Sequence, residues 1–382
     1  MKVGIRLISK LDEMKKVEDS WNRVIRENSK TPFLFSGFSN QFFNLRDMSD
    51  FDMPGFTPTF LIISVDNEIV GVSPVAIADV GVSFCRFAPK ISQPDIVCED
   101  KYRELCLKHT VDFLFRKLRC QFVDFSLQSN SSNLNLLNRP CRELGIQFST
   151  TTETGHSILP VRDNWLDFEK SLGRDYRKMI RRIERRLNAT GSWKINLLGR
   201  EDTESQVFER ILEIERKSWK YTHWKKMGRV TDPTLAFFWN GSMQTALKES
   251  EFDWKVAILE LDGRGVAYSF FMKYKQSAYT CKTSFDERYR KMYPGIYVKH
   301  AVIRELFGRS DIREIDFVSD LPFHRKWTDP PTPAIRFQMS KKSPFPILVR
   351  QSQSNKFVKK GLTGLALISK KARLVQSALY YA

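Results

Sequence analysis

The chain has 382 residues, enough for two domains with full cores, and its 42% hydrophobic and 28% charged residues are typical of a soluble globular protein. A formal net charge of +18 indicates an anionic partner: nucleic acid, an anionic membrane surface, or polyanionic substrates and cofactors. No signal-peptide pattern or membrane-spanning apolar run is present, and the six cysteines and five histidines show no metal-ligand spacing. We therefore expect a cytoplasmic protein with reduced thiols and without a metal.

The first half of the sequence predicts alternating helices and strands. The pair Asp66-Asn67 between two apolar runs is typical of a β-hairpin turn. The predicted helices are Leu11–Glu27, Asn40–Arg46, Tyr102–Leu118 and Asn133–Leu144, and the predicted strands are Phe60–Val65, Glu68–Asp79, Ser83–Ala88 and Phe122–Ser126.

The second half repeats this order. The predicted helices are Thr203–Tyr221, Pro233–Glu249 and Ile296–Phe307, and the predicted strands are Trp254–Leu261, Gly265–Lys275, Ala278–Ser284 and Glu314–Val318. Residues 61–80 and 256–274 align as one hairpin pattern in two copies. This internal repeat predicts duplicated α+β domains, with two accidental hairpins as the alternative.

A basic helix is predicted between the halves, over Ser171–Leu187. Its apolar side chains share one stripe, and basic side chains fill the rest of the surface: Arg174, Arg177, Lys178, Arg181, Arg182, Arg185 and Arg186. Like charges four residues apart destabilise an isolated helix, so this pattern favours a face that binds an anion. A solvated surface helix is the alternative.

The C-terminal segment, residues 341–382, contains one amphipathic pattern with lysines around an apolar stripe. This composition is typical of an interfacial helix that lies on anionic lipid. A helix that packs on the protein's own surface fits the pattern equally well.

Several short motifs accompany this order of elements. They are Ser20-Trp21-Asn22, Thr31-Pro32-Phe33, Gly71-Val72-Ser73-Pro74, Gln93-Pro94-Asp95, Ser171-Leu172 before Tyr176-Arg177, Asp286, Tyr293-Pro294-Gly295, Asp316-Phe317 and Pro322-Phe323-His324. Over Ser20–Met339 the chain resembles the GNAT-type acetyltransferase family associated with cellulose and exopolysaccharide biosynthesis. That family has a tandem GNAT fold related to the Fem-type aminoacyl transferases. The chain departs from the family after Asp316-Phe317, where the usual Gly and Tyr-Lys are absent.

The resemblance implies an α+β fold with two tandem GNAT-like domains, each a mixed, mainly antiparallel sheet flanked by helices, and a helical tail. We expect an N-terminal domain over residues 1–155, a C-terminal domain over 156–340 that includes the basic helix at 171–188, and a tail over 341–382. Asp95 replaces a glycine at the phosphate-type turn of the first domain and would repel a phosphate. We therefore expect the acyl-CoA site in the second domain alone.

The resemblance also implies where acyl-CoA would bind. Strands 278–284 and 314–318 would separate, and the acyl donor would enter the gap. A helix that begins directly after a turn leaves free backbone N–H groups that suit a pyrophosphate. The predicted pyrophosphate-binding residues are Pro294, Gly295, Ile296 and Tyr297, with Arg288, Arg290 or Lys291 nearby.

The expected reaction is direct attack of an amine or hydroxyl on the acyl thioester, which needs a base and donors for the developing oxyanion. Asp316 and His324 are the candidate bases, and Tyr293 is a candidate acid for the leaving thiolate. A structural carboxylate, a loop histidine and a packing tyrosine are the alternatives. The candidate acceptor-binding residues are Arg177, Arg181, Trp219, Tyr221, Trp224 and Asp286.

The sequence therefore predicts an acyltransferase that moves an acyl group, acetyl being the first candidate, from acyl-CoA to a glycan, glycolipid or envelope precursor. One alternative is a Fem-like transferase that uses aminoacyl-tRNA, whose phosphates the basic helix would bind. The other is a non-catalytic GNAT-fold module that binds nucleic acid or membrane. Peripheral contact with the anionic inner face of the membrane is expected in addition.

Overall fold

Two compact units make up the part of the chain that the computed structural model describes, residues 1–39, 56–79, 83–87, 92–162, 164–202, 204–221 and 250–341. The first unit contains residues 1–153 and a return segment that begins at residue 333, and the second is Thr154–Thr332. Each unit is built on its own mixed sheet flanked by helices. The predicted α+β class with two mainly antiparallel sheets is confirmed.

The first unit contains an eight-stranded sheet. Its elements are β1 (Val3–Ile8), α1 (Leu11–Lys15), α2 (Glu18–Asn28), β2 (Phe56–Val65), β3 (Glu68–Asp79), β4 (Ser83–Phe87), β5 (Val97–Cys98), α3 (Arg103–Asp112) with a π-turn (Phe113–Lys117), β6 (Cys120–Gln128), α4 (Asn138–Glu143) and β7 (Gln147–Thr154). The strand order is β1-β2-β3-β4-β6-β14-β7, with β5 on β3, where β14 is Pro333–Ser340. The β4–β6 pair is parallel.

The second unit contains a six-stranded sheet in the order β8-β13-β12-β11-β10-β9. Its elements are β8 (Ile158–Pro160), α5 (Trp165–Ser171), α6 (Arg174–Thr190), β9 (Trp193–Gly199), α7 (Glu204–Arg216), β10 (Asp253–Leu261), β11 (Arg264–Tyr274), β12 (Ser277–Phe285), α8 (Pro294–Phe307) and β13 (Glu314–Asp316). Only β12 and β13 are parallel among its pairs.

The two predicted hairpins have the turn geometry that their sequences favour. Asp66 and Asn67 between β2 and β3 have φ angles of 47° and 72°, and Asp262 and Gly263 between β10 and β11 have 49° and 75°. Two successive positive φ angles match the twist of antiparallel strands, and Asp, Asn and Gly tolerate them best. The predicted repeat of this hairpin in the two halves is therefore present in the structure.

Helices cover both faces of the second sheet. On β11, the Tyr268 hydroxyl donates a hydrogen bond to Glu215 of α7, while the adjacent Ala267 packs in the core that α6 and α8 share. Because neighbouring residues of a strand point to opposite faces, α7 lies on one face and the two other helices lie on the opposite one. The predicted apolar stripe of α6 is buried at Tyr176, Ile180, Ile183 and Leu187.

Several elements differ from the prediction. Strands β1, β7, β8, β9 and β14 and helix α5 were not predicted, and the expected helix at 133–144 shortens to α4. The predicted helices at 40–46 and 233–249 and the tail beyond Lys341 lie outside the described residues.

Strand β14 changes the expected domain boundary. The sequence predicts that residues up to 340 belong to the second domain, but β14 pairs with β6 in antiparallel register, from Ala334 opposite Gln128 to Ser340 opposite Phe122. Its Phe337 is fully buried in the first core and stacks on Phe148 at 5.4 Å between ring centres. The long-range strand pairing overrides the sequence order, so the second unit ends at Thr332.

Parallel strands β12 and β13 separate after a short contact. Among the described residues they pair where Ser277, Ala278 and Tyr279 face residues 314–316, and β12 then continues to Phe285 with β11 as its partner strand. Beyond β13 the chain bends at Val318, whose φ of 60° is unfavourable for a β-branched residue.

Hydrogen bonds hold this bend in place. The Val318 N–H donates to Asp316 Oδ1 at 2.6 Å, and the Phe317 N–H donates to the Ser157 carbonyl at 3.0 Å. Beyond Asp316 the chain therefore follows β8 and leaves β12. From Thr280 to Phe285, β12 has no strand partner on this side among the described residues, and we call this unpaired edge the gap between β12 and β13. Of the predicted strand Glu314–Val318, the structure forms Glu314–Asp316, and all three of its residues pair with β12.

We expect Phe337→Ala to lower the free energy of unfolding by about 3–5 kcal/mol, because it removes a fully buried ring from the first core. Urea unfolding followed by far-UV circular dichroism measures this loss. Phe148→Ala, at a half-buried ring, is the control and should cost less. Equal losses, or no loss, would contradict the assignment of β14 to the first core.

We expect Asp316→Ala to lower the free energy of unfolding by about 1–3 kcal/mol, because the Val318 N–H then loses its acceptor. Asp316→Asn keeps an oxygen at this position and should retain most of the stability. Urea unfolding of both variants checks the comparison. If the two substitutions are equally costly, the carboxylate charge and not the hydrogen bond to Val318 matters for folding.

Candidate functional site

The start of α8 lies beside the far end of β12. A 3-10 segment, Glu287–Met292, leads to Tyr293, which has a left-handed backbone conformation, and Pro294 then occupies the first helical position. Proline suits this position because its φ is already helical and it has no N–H to satisfy. The helix therefore begins abruptly, with its positive dipole end at the edge of the gap.

Gly295 allows the helix to start this close to β12. A Cβ atom at this position would lie 3.0 Å from Cδ1 of Phe285, so any larger residue would push the helix away from the strand. The N–H groups of Ile296 and Tyr297 both donate to the Tyr293 carbonyl, at 3.1 and 3.2 Å. Of the three predicted pyrophosphate-binding amides, only that of Gly295 has no acceptor among the described residues.

The predicted cations near this turn have different environments. Arg290 pairs with Glu287 at 3.1 Å, and Lys291 is exposed, while its carbonyl accepts a hydrogen bond from Arg186 of α6 at 2.6 Å. Tyr293 is about half exposed (49%), and no contact joins its ring to Asp316 in the described part of the chain. Exposed Lys291 and Tyr293 therefore remain accessible at the helix start.

Asp286, a predicted acceptor-binding residue, is engaged by Arg288. Its carboxylate caps the 3-10 segment by accepting from the Arg288 N–H at 3.0 Å and also binds the Arg288 guanidinium at 2.6–3.1 Å. Burial opposes ionisation of Asp286, but the hydrogen bonds and charge of Arg288 outweigh it and lower the pKa of this carboxyl. This environment is that of a structural cap.

His324, a predicted base, is almost fully buried, and both of its ring nitrogens have partners. Nδ1 lies 3.0 Å from the Ser319 carbonyl, and Nε2 lies 3.3 Å from the Nζ of Lys299. The shorter Nδ1 contact, with the Ser319 carbonyl, assigns the proton to Nδ1, because a carbonyl only accepts, and the Leu321 N–H lies farther from Nδ1, at 3.4 Å. Nε2 then presents its lone pair to Lys299. Burial and the nearby Lys299 charge lower the pKa of His324 to about 4.

Lys299 of α8 was not predicted as a site residue. It is 3% exposed, and its Nζ lies 5.0 and 5.4 Å from the ring centres of Phe317 and Phe323. Burial, with a smaller contribution from Lys220, lowers the pKa of Lys299 to about 7. The sequence feature that could have indicated its burial is its place in a helix between the apolar positions 298 and 302.

Asp316, the other predicted base, is buried beside His156, whose Nδ1 lies 3.3 Å from the Asp316 carboxylate. The same carboxylate oxygen accepts from the Val318 N–H. Cys281 of β12 interacts electrostatically with both Asp316 and Lys299, and burial raises the pKa of its thiol. The two predicted bases therefore belong to one cluster, which we call the gap cluster: His156, Cys281, Lys299, Asp316 and His324.

A second set of charges lies at the separated part of β12. The Lys220 ammonium donates to the Thr283 carbonyl at 2.9 Å, and Lys282 pairs with buried Glu215 at 3.2 Å. Burial lowers the pKa of Lys220 and of Lys282, with Glu215 opposing it in both cases. Three lysines with lowered pKa values, Lys220, Lys282 and Lys299, therefore surround the strand that borders the gap.

The predicted acceptor-binding residues are only partly described. Trp219 is half exposed and Tyr221 is half-buried, whereas Trp224 lies outside the described residues. On α6, Arg181 is exposed, and the Nε of half-buried Arg177 is enclosed without a hydrogen-bond partner in the described ranges. An enclosed guanidinium nitrogen without a partner is unusual and suits an anionic ligand group.

Neither a metal-binding group nor a membrane-spanning helix is present among the described residues. No group of three or more His, Cys, Asp or Glu residues among them is arranged to hold a metal ion. No helix in the described ranges is long and apolar enough to cross a membrane.

The comparisons with known proteins agree with this geometry. Residues 174–323 match the acetyltransferase (GNAT) domain family. No curated protein matches the sequence significantly.

Solved structures resemble the chain at low sequence identity. FemX is 10% identical with a TM-score of 0.52, over 84% of this chain and 95% of FemX. A conserved protein of unknown function from Bacteroides thetaiotaomicron is 14% identical with a TM-score of 0.52, over 89% and 100%. The C-terminal domain of a putative lysylphosphatidylglycerol synthetase from Agrobacterium fabrum is 11% identical with a TM-score of 0.50, over 86% and 92%. The chain thus has the fold of these proteins, and residues 174–323, which contain the separated strands, are a GNAT acetyltransferase domain.

Proposed function

We propose that the second unit transfers an acyl group from acyl-CoA to an amine or hydroxyl of a glycan, glycolipid or envelope precursor. The observation that carries this proposal is the gap between β12 and β13 with the start of α8 beside it. At a gap of this kind, backbone N–H and C=O groups that pair with no strand can hydrogen-bond to the pantetheine arm of CoA. The role in cellulose or exopolysaccharide synthesis that the sequence suggested is part of the same proposal.

The residues at the start of α8 fit a pyrophosphate. Gly295 contributes a free N–H group and the absence of a Cβ, and the helix dipole adds a positive field. Lys291 and Arg290 lie on the preceding turn, where their charges face solvent. We assign the pyrophosphate to Gly295 and these two side chains, with Pro294, Ile296 and Tyr297 shaping the turn.

The catalytic assignments follow from burial and partners. Tyr293 is exposed beside the proposed pyrophosphate site and remains our candidate for protonating the leaving thiolate. Asp316 and His324 are proposed to act inside the gap cluster, where their hydrogen bonds to Val318 and Ser319 fix their orientation. Trp219, Tyr221 and Trp224 remain the proposed acceptor-binding aromatics.

The first unit is proposed to bind no acyl-CoA. Asp95 at its corresponding turn accepts hydrogen bonds from Ser131 and Asn133 at 2.7 Å each, so it holds the loop together. The described part of β4 pairs with β6 from Ser83 through Arg86.

A Fem-like transfer from aminoacyl-tRNA is the second candidate. It is favoured by the basic surface of α6, where Arg174, Lys178, Arg181, Arg182, Arg185 and Arg186 are all exposed. Such a row of cations would bind a phosphate backbone. The fold likeness to FemX is compatible with both candidates.

We expect wild-type protein to bind acetyl-CoA in isothermal titration calorimetry and Gly295→Asp to weaken this binding at least about ten-fold, roughly 1.4 kcal/mol. The added side chain would meet Phe285 and place a negative charge at the helix start. Thermal unfolding confirms that the variant is folded, and Gly308→Asp at the other end of α8 is the control. Unchanged acetyl-CoA binding by a folded Gly295→Asp variant would contradict the assigned site.

Isothermal titration calorimetry also distinguishes the two candidate functions. Acetyl-CoA binding without saturable binding of aminoacyl-tRNA supports acyl-CoA as the donor. Binding of aminoacyl-tRNA with a steep salt dependence, and none of acetyl-CoA, would overturn our proposal in favour of the tRNA-dependent one.

We expect the double substitution Arg181→Glu and Arg185→Glu to lower the salt concentration at which the protein elutes from immobilised heparin, because both side chains are exposed on the basic face of α6. The control, Arg116→Glu with Arg142→Glu, makes the same change of net charge at exposed positions of the first unit. If both double variants elute at the same salt concentration, α6 has no special role in binding polyanions.

A further inference from the structure

Lys299 is a buried lysine that has no role in the proposed function. It projects from α8 into an apolar environment bounded by Phe317 and Phe323, and it is 3% exposed. Most buried lysines in proteins pair with a carboxylate, because an isolated charge is expensive to bury. The hydrogen-bond partner of Lys299 in the described structure is instead a neutral imidazole, that of His324.

The titratable groups around Lys299 come from four elements. His324 lies after β13, Cys281 is on β12, and Lys220 follows α7. Asp316 on β13 reaches this set through its electrostatic interaction with Cys281. Burial and Lys220 favour the neutral amine of Lys299, and only Cys281 opposes them. The amine and ammonium forms are therefore close in free energy near neutral pH.

We propose that Lys299 Nζ is the base of the site, which takes the proton that the acceptor loses. This inference rests on the proposed acyl transfer. The attacking nitrogen or oxygen forms a bond to the acyl carbon and gives its proton to the lone pair of the Lys299 amine. The carbon–sulfur bond breaks, Tyr293 donates its phenolic proton to the thiolate, and the Lys299 ammonium returns its proton through solvent to the Tyr293 oxygen. Lys299 ends as it began, so the step balances without another reactant.

His324 acts as a positioning residue in this scheme. With its Nδ1–H donated to the Ser319 carbonyl, its Nε2 presents a lone pair to Nζ. One N–H of the neutral Lys299 amine donates to His324 Nε2, which leaves a second N–H and the lone pair, and the lone pair is the position that takes the proton from the substrate. The two aromatic rings stabilise the ammonium when it forms, by cation–π attraction.

The first test measures the proton on Lys299 directly. In protein labelled with ¹³C at lysine Cε, the resonance missing from Lys299→Met should titrate near pH 7, with and without bound acetyl-CoA. Since the unfolded chain keeps a lysine pKa near 10.4, the folded state releases its proton first as pH rises. The stability of wild type relative to Lys299→Met should therefore rise between about pH 7 and pH 10. A resonance that titrates above pH 9, or a constant stability difference, would overturn the proposal.

The second test uses water as the probe nucleophile and acetyl-CoA at saturation. Hydrolysis by wild type should rise with pH to a plateau above about pH 7, because only the free amine accepts a proton. Lys299→Arg, which stays charged, and Lys299→Met should each lose at least about ten-fold in kcat while calorimetry shows acetyl-CoA affinity retained. Lys326→Met, at an exposed lysine, is the matched control and should hydrolyse acetyl-CoA as wild type does.

The outcomes of the second test are distinct. If wild type binds no acetyl-CoA, the proposed function fails. If it binds acetyl-CoA and Lys299→Arg keeps the wild-type rate and pH profile, the acyl-CoA proposal stands and the role of Lys299 is refuted.

Discussion

The hydrogen bond from the Val318 N–H to Asp316 is the contact on which the site depends. A β-branched residue with a positive φ is strained, and such strain persists only where the surroundings enforce it. Here Asp316 and the Ser157 carbonyl together divert the chain from β12 to β8. Without this bend, β13 would continue beside β12, and the backbone groups that line the gap would pair with each other.

The same bend places the buried cations. Leaving β12 after three paired residues brings the segment from Phe317 to His324 over α8, where it encloses Lys299. Enclosing a lysine without a carboxylate costs stability, and a fold selected for stability alone would have an apolar residue there. The cost is understandable if the neutral amine is needed, because burial is the physical cause that brings its pKa near neutrality.

How much of this was predictable from sequence depends on the range of the interaction. The hairpin turns at Asp66-Asn67 and Asp262-Gly263 are local, so residue type and spacing were sufficient. Strand β14 was missed because its partner β6 lies about two hundred residues earlier, and nothing local specifies that pairing. Lys299 was missed for a related reason, since a lysine in a helix is ordinarily solvated and its enclosure arises from Phe317, Phe323 and His324. Asp316 and His324 could be identified from the sequence as candidate site residues, whereas their hydrogen-bond partners could not be predicted from it.

The two sheets use one topology for different purposes. Each contains a hairpin followed by a third strand and one parallel pair, β4–β6 in the first and β12–β13 in the second. In the first, pairing runs along almost all of β4, and Asp95 bonds to the protein's own Ser131 and Asn133. In the second, all three residues of β13 pair with β12, β12 continues to Phe285 beyond them, and Gly295 leaves its N–H free. A closed parallel pair strengthens a sheet, whereas an open one exposes backbone donors at the cost of those bonds. The free edge of β12 and the free N–H of Gly295 can therefore accept a ligand, which is the physical reason to propose the chemistry for the second unit.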